Sequence, residues 1–386
     1  MWNLTLNCPP TAERHPPSST VLLHQLLSSS VPPAEPVAPA KPVMELKEES
    51  KKMKRHLAKL LAASALTALA LTGCGSGSIS GTAGTSTDSS AASAPAGGDL
   101  KKVTVGVLPI APSVAMQYGI DEGIFADHGL SIELQTGQGG AAMLPAVSTG
   151  TMNFSVGNPL SVMLAVNKGL DMKIVTGFSN SKAEGEDING VVAGKASGIA
   201  SFGDLEGKTV AVNTLKTQGD LTIMESAAKA GADPAKIKFV EMPFPDMQAQ
   251  LDRGSVDAIW LPEPFLSKAL ADAKNMLIGY PNQTALPGLP TMVSFTSGNF
   301  AQQNPDTVKS FREALEETLE QAEQNPDKVR ALLPKFMNMD AAVAEKLKME
   351  AFDGEVPADV LSDLGSLMVK YSYVDKDPDV AAMTVK

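Results

Sequence analysis

From Lys101 onward the chain alternates short apolar runs with segments of helical periodicity. Residues 103–107 form an apolar run bounded by Pro109 and Pro112, which is typical of a buried strand. Helices are predicted over residues 113–119 and 141–148. Further strands are predicted over residues 131–135, 152–156, 174–177, 190–193, 209–212, 237–242 and 258–261. Because strands alternate with helices, we predict parallel βαβ units in open α/β sheets with helices on both faces.

A short internal repeat accompanies this alternation. When Gly150 is aligned with Gly254, Asn153 falls on Asp257 and each lies at the start of a predicted strand. One such unit in each half suggests two lobes of similar α/β construction.

The last hundred residues are mainly helical in pattern. Asn304, Pro305 and Asp306 provide an N-cap, a first-turn proline and a first-turn acid, and residues 325–327 repeat this start. An apolar stripe with helical spacing follows, and we expect it to face the core: Val308, Phe311, Leu315, Leu319 and Ala322.

The region before the body has the order of a secretory signal. A basic cluster at residues 54–59 precedes an apolar segment of about residues 60–71, which is too short for a permanent membrane helix. The Leu71-Thr72-Gly73-Cys74 sequence that follows resembles the lipobox of bacterial lipoproteins, in which the cysteine is lipidated, for example with palmitate. We therefore expect a lipoprotein signal peptide at residues 53–73 and a lipid-anchored, extracytoplasmic protein. The alternative is an ordinary signal with a chance cysteine.

Two flanking segments show no pattern of a folded domain. Residues 1–52 are rich in Pro and Ser, and codons for residues 47–49 can spell a ribosome-binding sequence ahead of Met53. We expect a non-translated leader there, or else a disordered extension. Residues 74–98 are mainly Gly, Ser, Thr and Ala, and predict a flexible linker with a reach of roughly 25–30 Å.

Composition excludes several function classes. Residues 75–386 carry a formal charge of −14, because eight of the 32 Lys and Arg residues and five of the 43 acids precede them. Nucleic acid is therefore not an expected partner. Neither cysteine, Cys8 nor Cys74, lies in the body, and His128 is its only histidine, which we expect on a surface turn. Without a cysteine in the body, a Cys/His metal site and a Cys-His dyad are excluded, and with one histidine, expected on a surface turn, a Ser-His-Asp triad is nearly so. We expect no metal, no cofactor and no enzyme activity.

An ordered set of motifs spans the body. They are V-G-V-L-P at 105–109, E-G-I-F at 122–125, H-G-L at 128–130, residues 150–158, D-L-E-G-K-T-V at 204–210, residues 251–257 and W-L-P-E-P-F at 260–265. In order and spacing, residues 101–373 resemble the solute-binding lipoproteins of ABC importers of the nitrate/sulfonate/taurine and thiamine-precursor type. The resemblance implies a two-lobed, type II periplasmic-binding-protein fold with a ligand cleft, a monomer, and an ABC permease with its ATPase as partners. Lobe one would comprise residues 99–190 and 291–386, and lobe two residues 191–290.

The resemblance, together with the tendency of ligands to bind at the carboxyl ends of parallel strands, gives the candidate site residues. Lobe one would contribute Ser113, Gln138, Gly139, Gly140 and Asn158. Lobe two would contribute Asn213, Thr214, Lys216, Thr217, Phe244, Trp260 and Glu263.

The expected ligand is a small molecule whose charge the sequence leaves open. Lys216 is the one cation in these loops, and Asp220, Asp246 and Glu263 outnumber it. The balance slightly favours a heterocyclic, thiamine-precursor-like compound over a sulfonate-, nitrate- or taurine-like anion. An enzyme of the same fold acting on a heterocyclic precursor, or a ligand-sensing lipoprotein, stays as the alternative.

Overall fold

Two β-sheets organise residues 99–385, the part of the chain that the computed structural model describes. The leader, signal peptide, Cys74 and linker predictions lie outside these residues. The strands are β1 Lys101–Val107, β2 Leu130–Thr136, β3 Phe154–Gly157, β4 Met172–Asn180, β5 Asn189–Gly194, β6 Thr209–Val212, β7 Lys238–Glu241, β8 Ala258–Pro262, β9 Asn275–Gly279, β10 Pro290–Ser297 and β11 Ala351–Phe352.

Helices flank both sheets. They are α1 Val114–Asp121, α2 Ile124–Asp127, α3 Gly140–Ser148, α4 Pro159–Asn167, α5 Gln218–Lys229, α6 Phe244–Asp252, α7 Phe265–Ala271, α8 Pro281–Ala285, α9 Gly298–Gln303, α10 Pro305–Gln324, α11 Pro326–Met337, α12 Ala341–Ala344, α13 Ala358–Lys370 and α14 Val380–Met383. Short 3-10 turns lie at Ala111–Ser113, Lys195–Ser197, Phe202–Leu205 and Pro234–Lys236. Within residues 99–385, no helix is both long and apolar enough to cross a membrane.

Each sheet forms the centre of one lobe, which confirms the two-lobed α/β fold. The first sheet has the order β11-β4-β10-β3-β1-β2 and the second the order β7-β6-β8-β5-β9. The sheets are mixed rather than mostly parallel. The βαβ units pair in parallel (β1 with β2 and β3, β6 with β7 and β8), whereas β4, β5, β9, β10 and β11 take part in antiparallel pairs. The antiparallel strands include those next to the two crossings between lobes, residues 181–188 and 280–289, because a strand that returns from the other lobe enters its sheet from the opposite direction.

The internal repeat is confirmed in detail. Gly150 and Gly254 both end a helical turn with a left-handed backbone, at φ 76° and 71°. The Asn153 and Asp257 side chains then take the same role: Asn153 Oδ1 accepts from the Thr104 N–H at 2.9 Å, and Asp257 Oδ2 accepts from the Thr209 N–H at 2.7 Å. Each side chain thereby joins the incoming strand to its parallel neighbour.

Helix α10 packs on the first sheet through its apolar stripe. Val308, Phe311, Leu315, Leu319 and Ala322 are all buried, as predicted. The Phe311 ring stacks on Phe154 of β3 with centroids 3.8 Å apart. Burial of this stripe ties the C-terminal helices to lobe one.

Candidate functional site

A narrow cavity lies between the lobes, at the ends of strands from both sheets. Its volume is about 50 Å³. Its lining residues are Leu108, Ile110, Asn158, Ile188, Asn189, Asn213, Thr217, Phe244, Trp260, Pro262, Thr291, Met292 and Glu350. The lining therefore combines apolar and aromatic surface with amide, hydroxyl and carboxyl groups, a composition typical of small-molecule sites.

The lobe-one wall depends on a close approach of two backbones. A Cβ on Gly140 would lie 2.9 Å from the Gly157 Cα and 3.2 Å from the Asn158 nitrogen. Only glycine lets α3 begin so near the β3–α4 turn. Asn158 caps α4, since its Oδ1 accepts from the Ser161 N–H at 2.8 Å. Its amide NH₂ is then the group that Asn158 can offer to a ligand.

Two aromatic rings form the lobe-two wall. Trp260 and Phe244 have centroids 5.9 Å apart and a tilt of 54°. Gly219 makes room for the indole, because a Cβ there would lie 2.8 Å from Trp260 Cε3. Among residues 99–385, the indole Nε1 of Trp260 is one of the few buried side-chain nitrogens without a hydrogen-bond partner. A buried N–H donor on a cavity wall favours a ligand that brings an acceptor.

The start of α5 positions Thr217 at the cavity. Thr217 and Asp220 form a capping box, in which the Thr217 N–H donates to Asp220 Oδ1 at 2.8 Å. Asp220 also accepts from the Lys216 N–H at 2.7 Å. Burial raises the pKa of Asp220, and the hydrogen bonds partly oppose this rise.

Glu350, on the irregular segment before β11, also lines the cavity. It is 4% exposed, Asn189 Nδ2 donates to its Oε1 at 2.9 Å, and Oε2 lies 2.7 Å from Thr291 Oγ1. Asn189 begins β5 after one crossing, and Thr291 lies in β10 after the other. Burial raises the pKa of Glu350 to about 8, and the nearby Asp187 carboxylate raises it further.

The structure brings together five of the predicted site residues: Asn158, Asn213, Thr217, Phe244 and Trp260. Gly139 and Gly140 shape the same region, since the Cβ position of Gly139 lies 3.1 Å from Asn213 Nδ2 and 3.4 Å from Thr214 Oγ1. Ser113 is fully buried with an unpartnered Oγ and does not line the cavity. Gln138 is exposed beside this region.

The two charged candidates lie elsewhere. Lys216 is exposed at a positive φ of 55° and lines a separate surface depression beside Leu215 and Lys168. The Glu263 carboxylate accepts from the N–H and Oγ of Ser267, at 3.0 and 2.7 Å, and does not line the cavity. Burial raises the pKa of Glu263. Within the described part of the chain, Glu350 is thus the only ionisable side chain on the cavity wall, and no Lys or Arg lies there.

Sequence reasoning missed Glu350, Asn189 and Thr291. The Asn189–Glu350 hydrogen bond spans 161 positions and the Thr291–Glu350 contact 59. No motif surrounds Glu350, and it lies among other charged residues such as Lys348 and Asp353, so the sequence carried no signal that could have found it.

The lobes also touch outside the cavity. Leu221 of α5 is buried against lobe-one residues, including Leu144 and Leu160. Glu225 of the same helix accepts hydrogen bonds from Lys370 Nζ at 2.6 Å and from Tyr371 Oη at 2.7 Å. Burial alone would raise the pKa of Glu225, but these two bonds outweigh burial and lower it. The structure is therefore a closed arrangement of the lobes.

No group of three or more His, Cys, Asp or Glu residues with the geometry of a metal site occurs within residues 99–385.

Comparisons with known proteins agree with this architecture. The alkanesulfonate-binding protein SsuA of Xanthomonas axonopodis pv. citri, bound to MOPS, superposes with a TM-score of 0.63 at 16% identity, over 75% of this chain and 99% of that one. The periplasmic nitrate-binding protein NrtA of Synechocystis PCC 6803 superposes with a TM-score of 0.60 at 12% identity, over 74% of this chain and 85% of that one. At these identities the two structures establish the periplasmic-binding-protein fold.

The sequence relatives are also distant. A protein of Brucella abortus, provisionally named a binding protein, is 22% identical over 238 residues, which are 61% of this chain and 70% of that protein. A Brachyspira hyodysenteriae protein, provisionally named an ABC transporter periplasmic binding protein, is 27% identical over 188 residues, 47% of this chain and 54% of that one. The family model described as "NMT1/THI5 like" matches residues 113–329, more than half of the chain and both walls of the cavity. The chain belongs to the NMT1/THI5-like family.

Proposed function

We propose that this protein is the extracytoplasmic solute-binding component of an ABC importer, and that it binds a small nitrogen heterocycle between its lobes. The compound would be uncharged or basic and similar to a thiamine precursor. The protein would deliver this ligand to an ABC permease without changing it chemically. The relatives named as binding proteins and the shared fold support the class, and the cavity lining supports the ligand.

The observation that carries the ligand assignment is the partnerless Nε1–H of Trp260. A planar heterocycle can stack against the indole and Phe244 while a ring nitrogen or a carbonyl accepts from a nearby donor. The amides of Asn158, Asn189 and Asn213 add donors and acceptors without charge. Such a wall distinguishes ligands by the pattern of their hydrogen bonds.

A sulfonate- or nitrate-like anion is the second candidate, and the lining disfavours it. No cation lies on the cavity wall among the described residues, and Glu350 would repel an anion whenever it is ionised. SsuA and NrtA are similar to this chain in fold, which does not carry their ligands across.

The proposed mechanism is closure of two lobes. We assign residues 99–190 and 291–386 to lobe one and residues 191–290 to lobe two. Within these ranges, the crossing segments 181–188 and 280–289 form the hinge. A ligand that contacts Asn158 of one lobe and Trp260 of the other binds the closed form better than the open form, and so shifts the equilibrium towards closure. Lipidation of Cys74 would hold a monomer at the membrane surface near its permease.

The first test is native mass spectrometry of the protein purified from its own host, with identification of the molecules released on denaturation. A released nitrogen heterocycle would support the proposal, and a sulfonate, nitrate or carboxylate would overturn the ligand assignment alone. If the protein carries no small molecule, even after dialysis against a small-molecule extract of the host, solute binding itself is wrong. Intact mass of the same sample tests acylation of Cys74.

A further inference from the structure

The cavity of this closed arrangement contains one buried acid that sequence motifs did not indicate, Glu350. The inference drawn from it rests on the proposed solute-binding function and concerns how the ligand's charge is selected. Glu350 lines the cavity directly. Its hydrogen-bond partners Asn189 and Thr291 lie in β5 and β10, the first strand after each lobe crossing.

The hydrogen bonds around Glu350 are compatible with a proton on its carboxyl group. The Thr291 hydroxyl has a single proton and lies 2.9 Å from the Ser179 carbonyl oxygen and 2.7 Å from Glu350 Oε2. A carbonyl oxygen can only accept. When Thr291 donates to that carbonyl, the contact with Glu350 is a hydrogen bond only if Oε2–H donates to Thr291. When Thr291 instead donates to Oε2, it can accept from the Ser179 hydroxyl 2.9 Å away, and this arrangement suits the carboxylate that remains after Glu350 has lost its proton.

The charged groups around Glu350 favour the same protonation state. Asp187, which is fully buried on the first crossing, is a second acid near the carboxyl group. Lys348, two residues before Glu350, is paired with Glu186 at 2.8 Å and lies 3.5 Å from Tyr280 Oη. Burial and the second acid raise the pKa of Glu350 to about 8. The group that meets an incoming ligand at neutral pH is therefore a carboxylic acid, which can both donate and accept.

We propose that Glu350 is the specificity-determining residue of the cleft, and that it recognises a basic ring nitrogen by giving up its proton to it. For an uncharged base, the Oε2–H bond breaks and an N–H bond forms on the ligand, leaving a carboxylate paired with a cation. For a ligand that arrives protonated, the proton of Glu350 leaves to solvent and the same ion pair results. A sulfonate or nitrate anion is too weak a base to accept this proton, and it meets no cation on the cavity wall among the described residues. In a site with little water, the ion pair is stronger than it would be in solution.

The test uses two probes and three forms of the purified protein. The probes are 4-amino-2-methylpyrimidine, a planar base, and ethanesulfonate, an anion. The forms are wild type, Glu350→Gln and Glu323→Gln. Glu323 of α10 is the matched control. Its carboxylate accepts from the N–H of Phe352, two residues after Glu350, at 2.8 Å, but it lies outside the cavity. Affinities are measured by calorimetry, and the C=O stretch of a protonated carboxyl group is followed by infrared difference spectroscopy.

We expect wild type and Glu323→Gln to bind the aminopyrimidine equally, and Glu350→Gln to bind it at least tenfold more weakly. Binding should abolish a protonated-carboxyl band in wild type that Glu350→Gln lacks. Equal affinity of Glu350→Gln and wild type would overturn the proposal, and so would a band that persists on binding. If Glu350→Gln does not fold, the infrared result on wild type decides by itself.

The remaining outcomes separate this inference from the proposed function. Binding of ethanesulfonate instead of the aminopyrimidine would overturn the role of Glu350 and leave solute binding intact. Binding of neither probe would also overturn the role of Glu350. The proposal that the protein binds a solute would then be wrong only if the protein purified from its own host released no small molecule.

Discussion

Replacing Glu350 by Gln should make the protein more stable at neutral pH, although the wild-type side chain is fully hydrogen-bonded. The Gln amide has the shape of a protonated carboxyl group. Its oxygen can accept from Asn189 Nδ2, and its NH₂ can donate to Thr291 Oγ1, where the protonated acid donates. The substitution therefore keeps the contacts and removes the titration.

The magnitude follows from the difference in pKa between the folded and unfolded states. Burial raises the pKa of Glu350 from its ordinary value of 4.5 to about 8. Between these values the folded state holds a proton that the unfolded state has released, so stability falls by about 1.4 kcal/mol for each rise of one pH unit. The contribution is fully present below pH 4.5 and is lost by about pH 8. At pH 7, wild type should be about 3 kcal/mol less stable than Glu350→Gln from this cause.

The assay is urea unfolding of wild type, Glu350→Gln and Glu323→Gln at pH 5, 6, 7 and 8. Burial also raises the pKa of Asp187, Asp220 and Glu263, so wild-type stability alone does not isolate Glu350. The difference in unfolding free energy between wild type and Glu350→Gln does isolate Glu350. This difference should grow from less than about 1 kcal/mol at pH 5 to about 3 kcal/mol at pH 7. A difference that stays constant over this range would refute the reasoning, because Glu350 would then have the same charge in both states.

Three further predictions test the cavity walls and the lobe contact. Trp260→Phe keeps a ring and loses the buried Nε1–H, so calorimetry should show a ligand affinity about tenfold weaker. Trp260→Ala should weaken binding further while the circular dichroism spectrum stays unchanged. Unchanged affinity in Trp260→Ala would remove Trp260 from the site. Gly140→Ala should lower the free energy of unfolding by about 1–3 kcal/mol, because its Cβ would lie 2.9 Å from the Gly157 Cα. Gly194→Ala is the control, since the space at its Cβ position is open. Equal losses of stability in the two variants would contradict the close-approach argument. Glu225→Gln removes the carboxylate that Lys370 holds at 2.6 Å, so small-angle scattering of the ligand-free protein should show a larger radius of gyration; an unchanged radius would mean that this pair does not hold the lobes together.

The parts of the fold that the sequence predicts are those with a local cause. The N-terminal boundary of α10 follows from Pro305, and the burial of Phe311 follows from helical spacing. The roles of Asn153 and Asp257 follow from a repeated pattern of glycine, polar residue and strand. The predicted strands between residues 103 and 261 are present with small shifts at their ends. Strands β9, β10 and β11 were not predicted, because their partners are set by how the chain returns between lobes.

The candidate site divides in the same way. Asn158 and Trp260 were predictable because strand ends in α/β sheets place side chains at the cleft. Lys216 and Glu263 lie at the same strand ends, but local bonding turned them elsewhere: the Lys216 backbone is fixed on Asp220, and the Glu263 carboxylate on Ser267. Glu350 reaches the cavity through contacts between distant parts of the chain, which one sequence without a motif does not reveal.

The size and contacts of the cavity restrict how a ligand can enter and what it must provide. A volume of about 50 Å³ is far below the several hundred Å³ of an ordinary ligand pocket, so binding requires the lobes to separate and close again. Reclosure restores the buried contacts of Leu221 and Glu225 whatever the ligand is, and those contacts do not select among ligands. We therefore expect selection to depend on the Trp260 N–H, which has no partner in the protein, and on the Glu350 carboxyl, the only ionisable group on the cavity wall among residues 99–385. A compound that leaves the Trp260 N–H buried and unpaired loses the free energy of that hydrogen bond, so we expect the cleft to disfavour it without any opposing charge.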